Sequence, residues 1–179
     1  MNAVDSLSVT PSLPVSPVIK KTSVTILYFN VRSLLPKMDH LRATCCSSSP
    51  DVICIVETWL DYTIADSEIF IQGYSIVRLD RSRHGGGVLI FVNNQFTCAP
   101  LYKGTPDFEC LIVTVNNSAG PSPDFTVALF YRPPSSNHAL LDNLFLTLCN
   151  SFVSSSPRLF LVGDFNIDFL FPLHLCIRN

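Results

Sequence analysis

From Ser23 onward the chain alternates short apolar, β-branched runs with turn residues or with amphipathic stretches of helical length. The runs at 24–29, 51–56, 69–78, 87–92, 109–115, 125–131 and 158–162 are each short enough to be a strand. Several are apolar at consecutive positions, which implies burial on both faces. Between the first two runs Leu34, Leu35, Met38, Leu41 and Cys45 recur at helical spacing. Between the last two, Leu141, Leu144, Phe145, Leu148 and Phe152 do the same, with Asn137 as the N-cap. The order strand–helix–strand, several strands in hairpin-like succession, then helix–strand predicts a mixed sheet structure with helices packed outside. Residues 1–22 are rich in Ser, Pro and Val, with Pro11, Pro14 and Pro17 at every third position, and show neither period. They are expected to form a flexible leader to a domain over 23–168, with 169–179 a divergent apolar tail.

Composition narrows the class. The chain has 179 residues, 47% hydrophobic and 15% charged, with a net charge of −2 and a mean hydropathy of +0.34. Disordered chains combine low hydrophobicity with high net charge, so disorder throughout is excluded. The length suits one domain, which buries roughly two-thirds of its unfolded surface. No apolar run approaches the ~20 residues that span a bilayer, and the N-terminus lacks the basic-then-apolar order of a secretory signal. The expectation is an intracellular protein, nuclear or cytoplasmic, with no membrane partner. Seven cysteines without a C-x-x-C pair read as reduced, mostly buried thiols. Near-zero net charge argues against a protein that coats nucleic acid, though not against an enzyme that grips phosphates locally.

Polar residues at the ends of buried strands are the candidates for chemistry, because open α/β architectures gather their sites there. Glu57 follows an almost unbroken apolar run, so its carboxylate emerges from a buried strand and needs a cation or a donor. A hard ion such as Mg²⁺ takes one or two protein carboxylates and leaves its other positions to water and phosphate oxygens; a solvent-facing or Arg-paired glutamate fits the same residue. Asp164 and Asn166 lie two apart and share one face of an extended segment. There a carboxylate can orient or deprotonate a water while the amide donates to a phosphoryl oxygen, and Gly163 before them allows close approach of backbone or ligand; a plain Gly-Asp-x-Asn turn is the other reading. Asn30 either ligates metal through its oxygen, holds another site group in orientation, or caps the helix after it. Tyr131 is either a donor to phosphate or a packing residue before Pro133. Arg78, Arg81, Arg83 and His84 run into Gly85-Gly86-Gly87, either a basic phosphate-gripping loop or a solvated hairpin.

Together, F-N-V-R-S-L at 29–34, V-E-T-W-L at 56–60, the basic loop and triple glycine leading into V-L-I-F-V, Y-R-P-P at 131–134 and G-D-F-N-I-D at 163–168 resemble the endonuclease/exonuclease/phosphatase superfamily. Within it the chain is similar to the apurinic-type endonuclease domain that begins the polymerase protein of non-long-terminal-repeat retrotransposons. The resemblance implies a DNase I-like, four-layered α/β sandwich of two mainly antiparallel sheets flanked by helices, its second half incomplete. It also implies hydrolysis of a DNA phosphodiester with Mg²⁺ or Mn²⁺, leaving a nick whose 3′ hydroxyl primes reverse transcription.

By the same resemblance Glu57 and Asn30 hold the metal, Tyr131 lines the site, Asp164 positions the attacking water and Asn166 binds the transition state. Arg78, Arg81, Arg83 and Arg132 are the expected DNA contacts, and a reverse transcriptase domain is the expected neighbour in the full-length protein. Relatives continue past the Gly-Asp-Phe-Asn strand to a Ser-Asp-His signature that residues 169–179 do not resemble. His174 lies in an apolar run with no Asp before it, and His40, His84 and His138 lack a suitable carboxylate neighbour. Weak or absent activity and self-association through an unpaired sheet edge are therefore expected. A non-catalytic remnant that binds DNA or protein, and a relative acting on a sphingolipid, an inositol phosphate or RNA, are the alternative readings.

Overall fold

A computed structural model describes residues 23–105, 108–117, 124–133, 146–147, 150–151 and 158–166. The leader, the tail with His174, and Asn137, Leu141, Leu144, Phe145, Leu148 and Phe152 of the predicted helix lie outside the described residues. Strand β1 (Ile26–Asn30) leads through a 3-10 turn at Leu35–Lys37 into helix α1 (Met38–Ser48). Strands β2 (Val52–Val56), β3 (Tyr74–Leu79), β4 (Val88–Asn93), β5 (Thr97–Thr105), β6 (Phe108–Asn116), β7 (Phe125–Tyr131) and β8 (Leu159–Asp164) follow. They form two four-stranded sheets, ordered β1-β2-β4-β3 and β5-β6-β7-β8. β1 and β2 are parallel, as are β7 and β8, and the remaining neighbours are antiparallel. This is the α/β sandwich that the motifs imply, with mainly antiparallel sheets face to face.

Period-two alternation builds the sandwich. Val52, Cys54 and Val56 of β2 and Val88, Ile90 and Val92 of β4 meet Leu111, Val113 and Val115 of β6 and Phe125, Val127 and Leu129 of β7 in one core between the sheets. The opposite faces of β2 and β4, Ile53, Ile55, Leu89 and Phe91, pack against Leu34, Met38, Leu41 and Cys45 of the helical segment and against Leu60, Ile64, Ile69 and Ile71. β2 and β4 are covered on both sides, which is why they are apolar throughout. Helix α1 ends where Ser49 turns left-handed (φ 42°) and donates its N–H to the Cys45 carbonyl at 2.9 Å.

Two strand expectations need correction. The run 69–78 is not one strand: Ile69 and Ile71 are buried, but the chain turns at Gly73 (φ 84°) and β3 starts only at Tyr74. Pairing across that turn, rather than apolar content, sets the boundary. β5 escapes sequence notice because it is a largely exposed edge strand whose alternation is broken by two register shifts, at Pro100/Tyr102 and Lys103/Thr105. Among the described residues Cys45, Cys54 and Cys110 are buried thiols, Cys98 is half-buried and Cys46 is exposed.

Candidate active site

The same alternation that fills the core places polar groups at its open end. Ile26 packs into the inter-sheet core, so Asn30, four residues on, shares its inward face. Val162 faces the same core, and Asp164 is next in phase; Leu129 leads likewise to Tyr131, and Leu111 back to Glu109. Tyr131 stands opposite Asp164 in β8 and opposite Glu109 in β6. Glu57 follows β2 immediately, beside Asn30 at the end of the β1–β2 ladder.

These groups meet across the gap between the sheets. The Asn30 carboxamide donates from Nδ2 both to Glu57 Oε1 at 2.9 Å and to Asp164 Oδ2 at 3.2 Å. Tyr131 lies close enough to Glu57 for that carboxylate to act on its phenol. Asn166 is adjacent, its backbone N–H donating to Asp164 Oδ1 at 3.2 Å, but its Nδ2 donates to the Arg132 carbonyl at 2.7 Å. The structure thus joins Asn30, Glu57 and Asp164 in one hydrogen-bonded group, with Tyr131 beside it opposite Asp164, and sets the Asn166 side chain against backbone.

Backbone strain concentrates at this end. Arg32, Ser33, Glu57, Trp59 and Asn166 have φ values of 41°, 81°, 54°, 53° and 45°. The left-handed region costs a non-glycine residue about 1–2 kcal/mol, so the surrounding bonds must over-determine these turns. Ser33 and Leu34 donate N–H groups to the carbonyls of Glu57 and Thr58, both at 2.9 Å, and Thr58 and Trp59 donate to Gly87 at 3.1 Å and Gly86 at 2.9 Å.

Two phenols report the local field. Burial first, then the Asp164 and Glu57 charges, push Tyr28 up to about 12. Burial and the Glu57 charge push Tyr131 up to about 12. Tyr131 is therefore a protonated hydrogen-bond donor at neutral pH, not a base. An unfolded tyrosine ionises near ~10, so the stability these phenols confer is full below pH ~10 and is lost as pH rises toward 12. In an alkaline titration of the tyrosinate ultraviolet band, wild type should show two tyrosines ionising near 12 and Tyr131→Phe one fewer. An unchanged high-pH step in that variant would refute the assignment.

Glu57, Asp164 and the Asn30 carboxamide oxygen are hard oxygen donors at a pole where two carboxylates share one amide. That donor chemistry fits Mg²⁺ or Mn²⁺, which favour few carboxylates and retain several waters. Among the described residues no three His, Cys, Asp or Glu side chains converge.

Of the expected DNA contacts, Arg78 and Arg81 make ion pairs within the chain. Arg78 bonds Asp66 Oδ1 at 2.9 Å and Asp80 Oδ2 at 2.6 Å, and also the carbonyls of Asp61 and Ile64. Its guanidinium ties the 61–66 loop to β3. Arg81 bonds Glu109 Oε1 at 2.7 Å. Arg132 is buried, whereas Arg83 and His84 are exposed. His40 is exposed on α1, and His138 lies outside the described residues. Sequence reasoning missed Glu109, which reads there only as the start of an apolar run. Its buried carboxyl is pushed up by desolvation against the opposing pull of the Gly87 amide and Arg81. A cleft of about 540 Å³ lined by Arg42, Cys45, Cys46, Phe70, Gly73 and Asn93 includes none of the convergent residues.

A model of the Endonuclease/Exonuclease/phosphatase family matches residues 27–172. No curated protein matches the sequence. Among solved structures, the endonuclease domain of TRAS1, a telomere-specific non-LTR retrotransposon, is similar at 14% identity and a TM-score of 0.61 over 82% of this chain and 60% of its own. A mannosyl-6-phosphatase from Bacteroides thetaiotaomicron VPI-5482 is similar at 16% identity and a TM-score of 0.61 over 82% of this chain and 66% of its own. A 3′ phosphatase from Neisseria, bound to product DNA hairpin, is similar at 18% identity and a TM-score of 0.59 over 81% of this chain and 58% of its own. The chain spans less than two thirds of each of these structures, and likeness at such identity is likeness of fold. Among the described residues no helix is long and apolar enough to cross a membrane.

Proposed function

The chain belongs to the Endonuclease/Exonuclease/phosphatase family, and from that premise we propose that it is a divalent-metal-dependent phosphodiester hydrolase that nicks DNA, the endonuclease portion of a retroelement polyprotein. The observation that carries this reading is the Asn30 amide shared between Glu57 and Asp164 across two sheets. Glu57 and the Asn30 oxygen would hold Mg²⁺ or Mn²⁺, which when bound supplies Lewis-acid stabilisation of charge on the scissile phosphate. Asp164 orients the attacking water and accepts its proton. Tyr131 keeps its phenolic proton and donates to a phosphoryl oxygen; Asn166 does the same once its Nδ2 leaves the Arg132 carbonyl. The exposed Arg83 would meet a DNA phosphate. The retrotransposon and DNA-bound similarities support DNA as the substrate, and the resemblance of the motifs supports a reverse transcriptase domain as partner.

No residues of this stretch match the Ser-Asp-His signature that the resemblance implies, and by itself it is proposed to turn over slowly. Loss of one member of such a unit costs several orders of magnitude. A supercoiled-plasmid assay with Mg²⁺ or with chelator, on wild type and Asp164→Ala, tests the reading. Slow conversion to open circle is expected in wild type with metal alone; equal background under all conditions refutes it.

A further inference from the structure

The glycine run 85–87 is a strap held from both sides. On one side the Glu109 side chain, with no exposed surface, accepts from Arg81 Nη1 at 2.7 Å and from the Gly87 N–H, while Arg81 Nε donates to the Gly85 carbonyl at 3.0 Å. On the other side the strap's carbonyls accept the N–H groups of Trp59 and Thr58 at 2.9 and 3.1 Å. The fit leaves no room for a side chain. A Cβ on Gly86 would stand 2.4 Å from both the Arg81 guanidinium and Glu109 Oε1, and one on Gly87 would stand 2.3 Å from Thr58 Oγ1. Thr58 and Trp59 complete the left-handed turn that begins at Glu57, at φ 54° and 53° for Glu57 and Trp59.

We propose that Glu109 is a positioning residue: paired with Arg81, it anchors the 85–87 strap, which in turn fixes the Glu57–Trp59 turn and so aims the Glu57 carboxylate. It touches neither substrate nor metal and acts through backbone. The strap links β6 of one sheet to the end of β2 in the other, so the alignment of Glu57 on Asn30 depends on a half-buried ion pair that a purely local reading of either motif omits. The inference rests on the proposed function for its consequence, metal binding by Glu57, but not for its geometry.

Trp59 is the single tryptophan of the chain, so its emission reports the turn. The test compares wild type, Glu109→Gln and Arg81→Gln by Trp59 fluorescence, by amide hydrogen exchange at Thr58 and Trp59, and by Mn²⁺ titration. Glu109→Gln keeps the shape but loses the charge. Arg81→Gln acts on a partner with 29% of its side chain exposed, so it perturbs the core less and keeps the proposal testable if Glu109→Gln fails to fold. Expected in both variants are faster exchange at Thr58 and Trp59 but not in β6 and β7, a red-shifted emission, and Mn²⁺ affinity lowered about 10-fold or more, the loss typical when a group orienting a ligand is removed. The double variant should be no worse than either single one. Wild-type exchange and emission in Arg81→Gln overturn the proposal, and so does loss of protection spread evenly through the sheets. If wild type itself binds no Mn²⁺, the functional reading fails while exchange and emission still decide whether the strap fixes the turn.

Discussion

Glu57→Gln is expected to lower Mg²⁺-dependent nicking by roughly 10²–10³-fold, the range seen when a group stabilising the transition state is removed, while the fold persists. Glutamine is isosteric and retains an Oε1 to accept the Asn30 Nδ2 bond that glutamate makes at 2.9 Å. What it lacks is the negative charge, which the position supplies at the end of a strand buried along its whole length. Removing that charge also removes one of the causes that hold the Tyr131 phenol near 12, so Tyr131 should ionise at lower pH in the variant. Mn²⁺ binding followed by electron paramagnetic resonance reads the same loss without turnover, which matters if nicking is slow. Unchanged Mn²⁺ affinity together with an unchanged Tyr131 titration would mean that Glu57 carries no functional charge at this pole.

How far the sequence discloses this arrangement depends on whether a residue's partners are written near it. β2, β4, β6 and β7 are visible because each is apolar on both faces, and both faces are in fact covered. Asn30, Tyr131 and Asp164 stand out as the polar residues that close such runs, and their convergence follows from period two, since each continues the inward phase of its own strand. Glu109 obeys the same rule at the opposite end of its strand, two residues before Leu111, yet nothing near it in sequence marks Arg81 and Gly87 as its partners. The ion pairs of the basic stretch are hidden for the same reason. Arg78 reads as a free cation until Asp66 and Asp80 are seen around it. β5 is illegible because an edge strand with one exposed face and two register shifts has no period to show.

Gly163→Ala should cost about 2–4 kcal/mol, a large share of the ~5–15 kcal/mol that holds a domain folded. Gly163 lies opposite Phe130 in the parallel β7–β8 pair. A Cβ there would stand 2.0 Å from the Phe130 carbonyl oxygen and 2.9 Å from its carbon, and these are backbone atoms of a strand buried on both faces. They cannot move aside, so β8 must. The next residue is Asp164, whose carbonyl accepts the Arg132 N–H at 2.9 Å and whose carboxylate accepts from Asn30; displacing β8 therefore loosens the site together with the sheet. Gly73→Ala is the control, because Gly73 also has a positive φ, 84°, but nothing lies within 4 Å of its would-be Cβ. It should lose only the torsional share, about 1 kcal/mol. Thermal unfolding should place Gly163→Ala roughly 10 °C below wild type and Gly73→Ala only a few degrees below, at ~2–4 °C per kcal/mol for a domain of this size. Equal losses in the two variants would show that torsion rather than the close approach to Phe130 dictates glycine at 163, and the close β7–β8 contact would then have no claim on the position of Asp164.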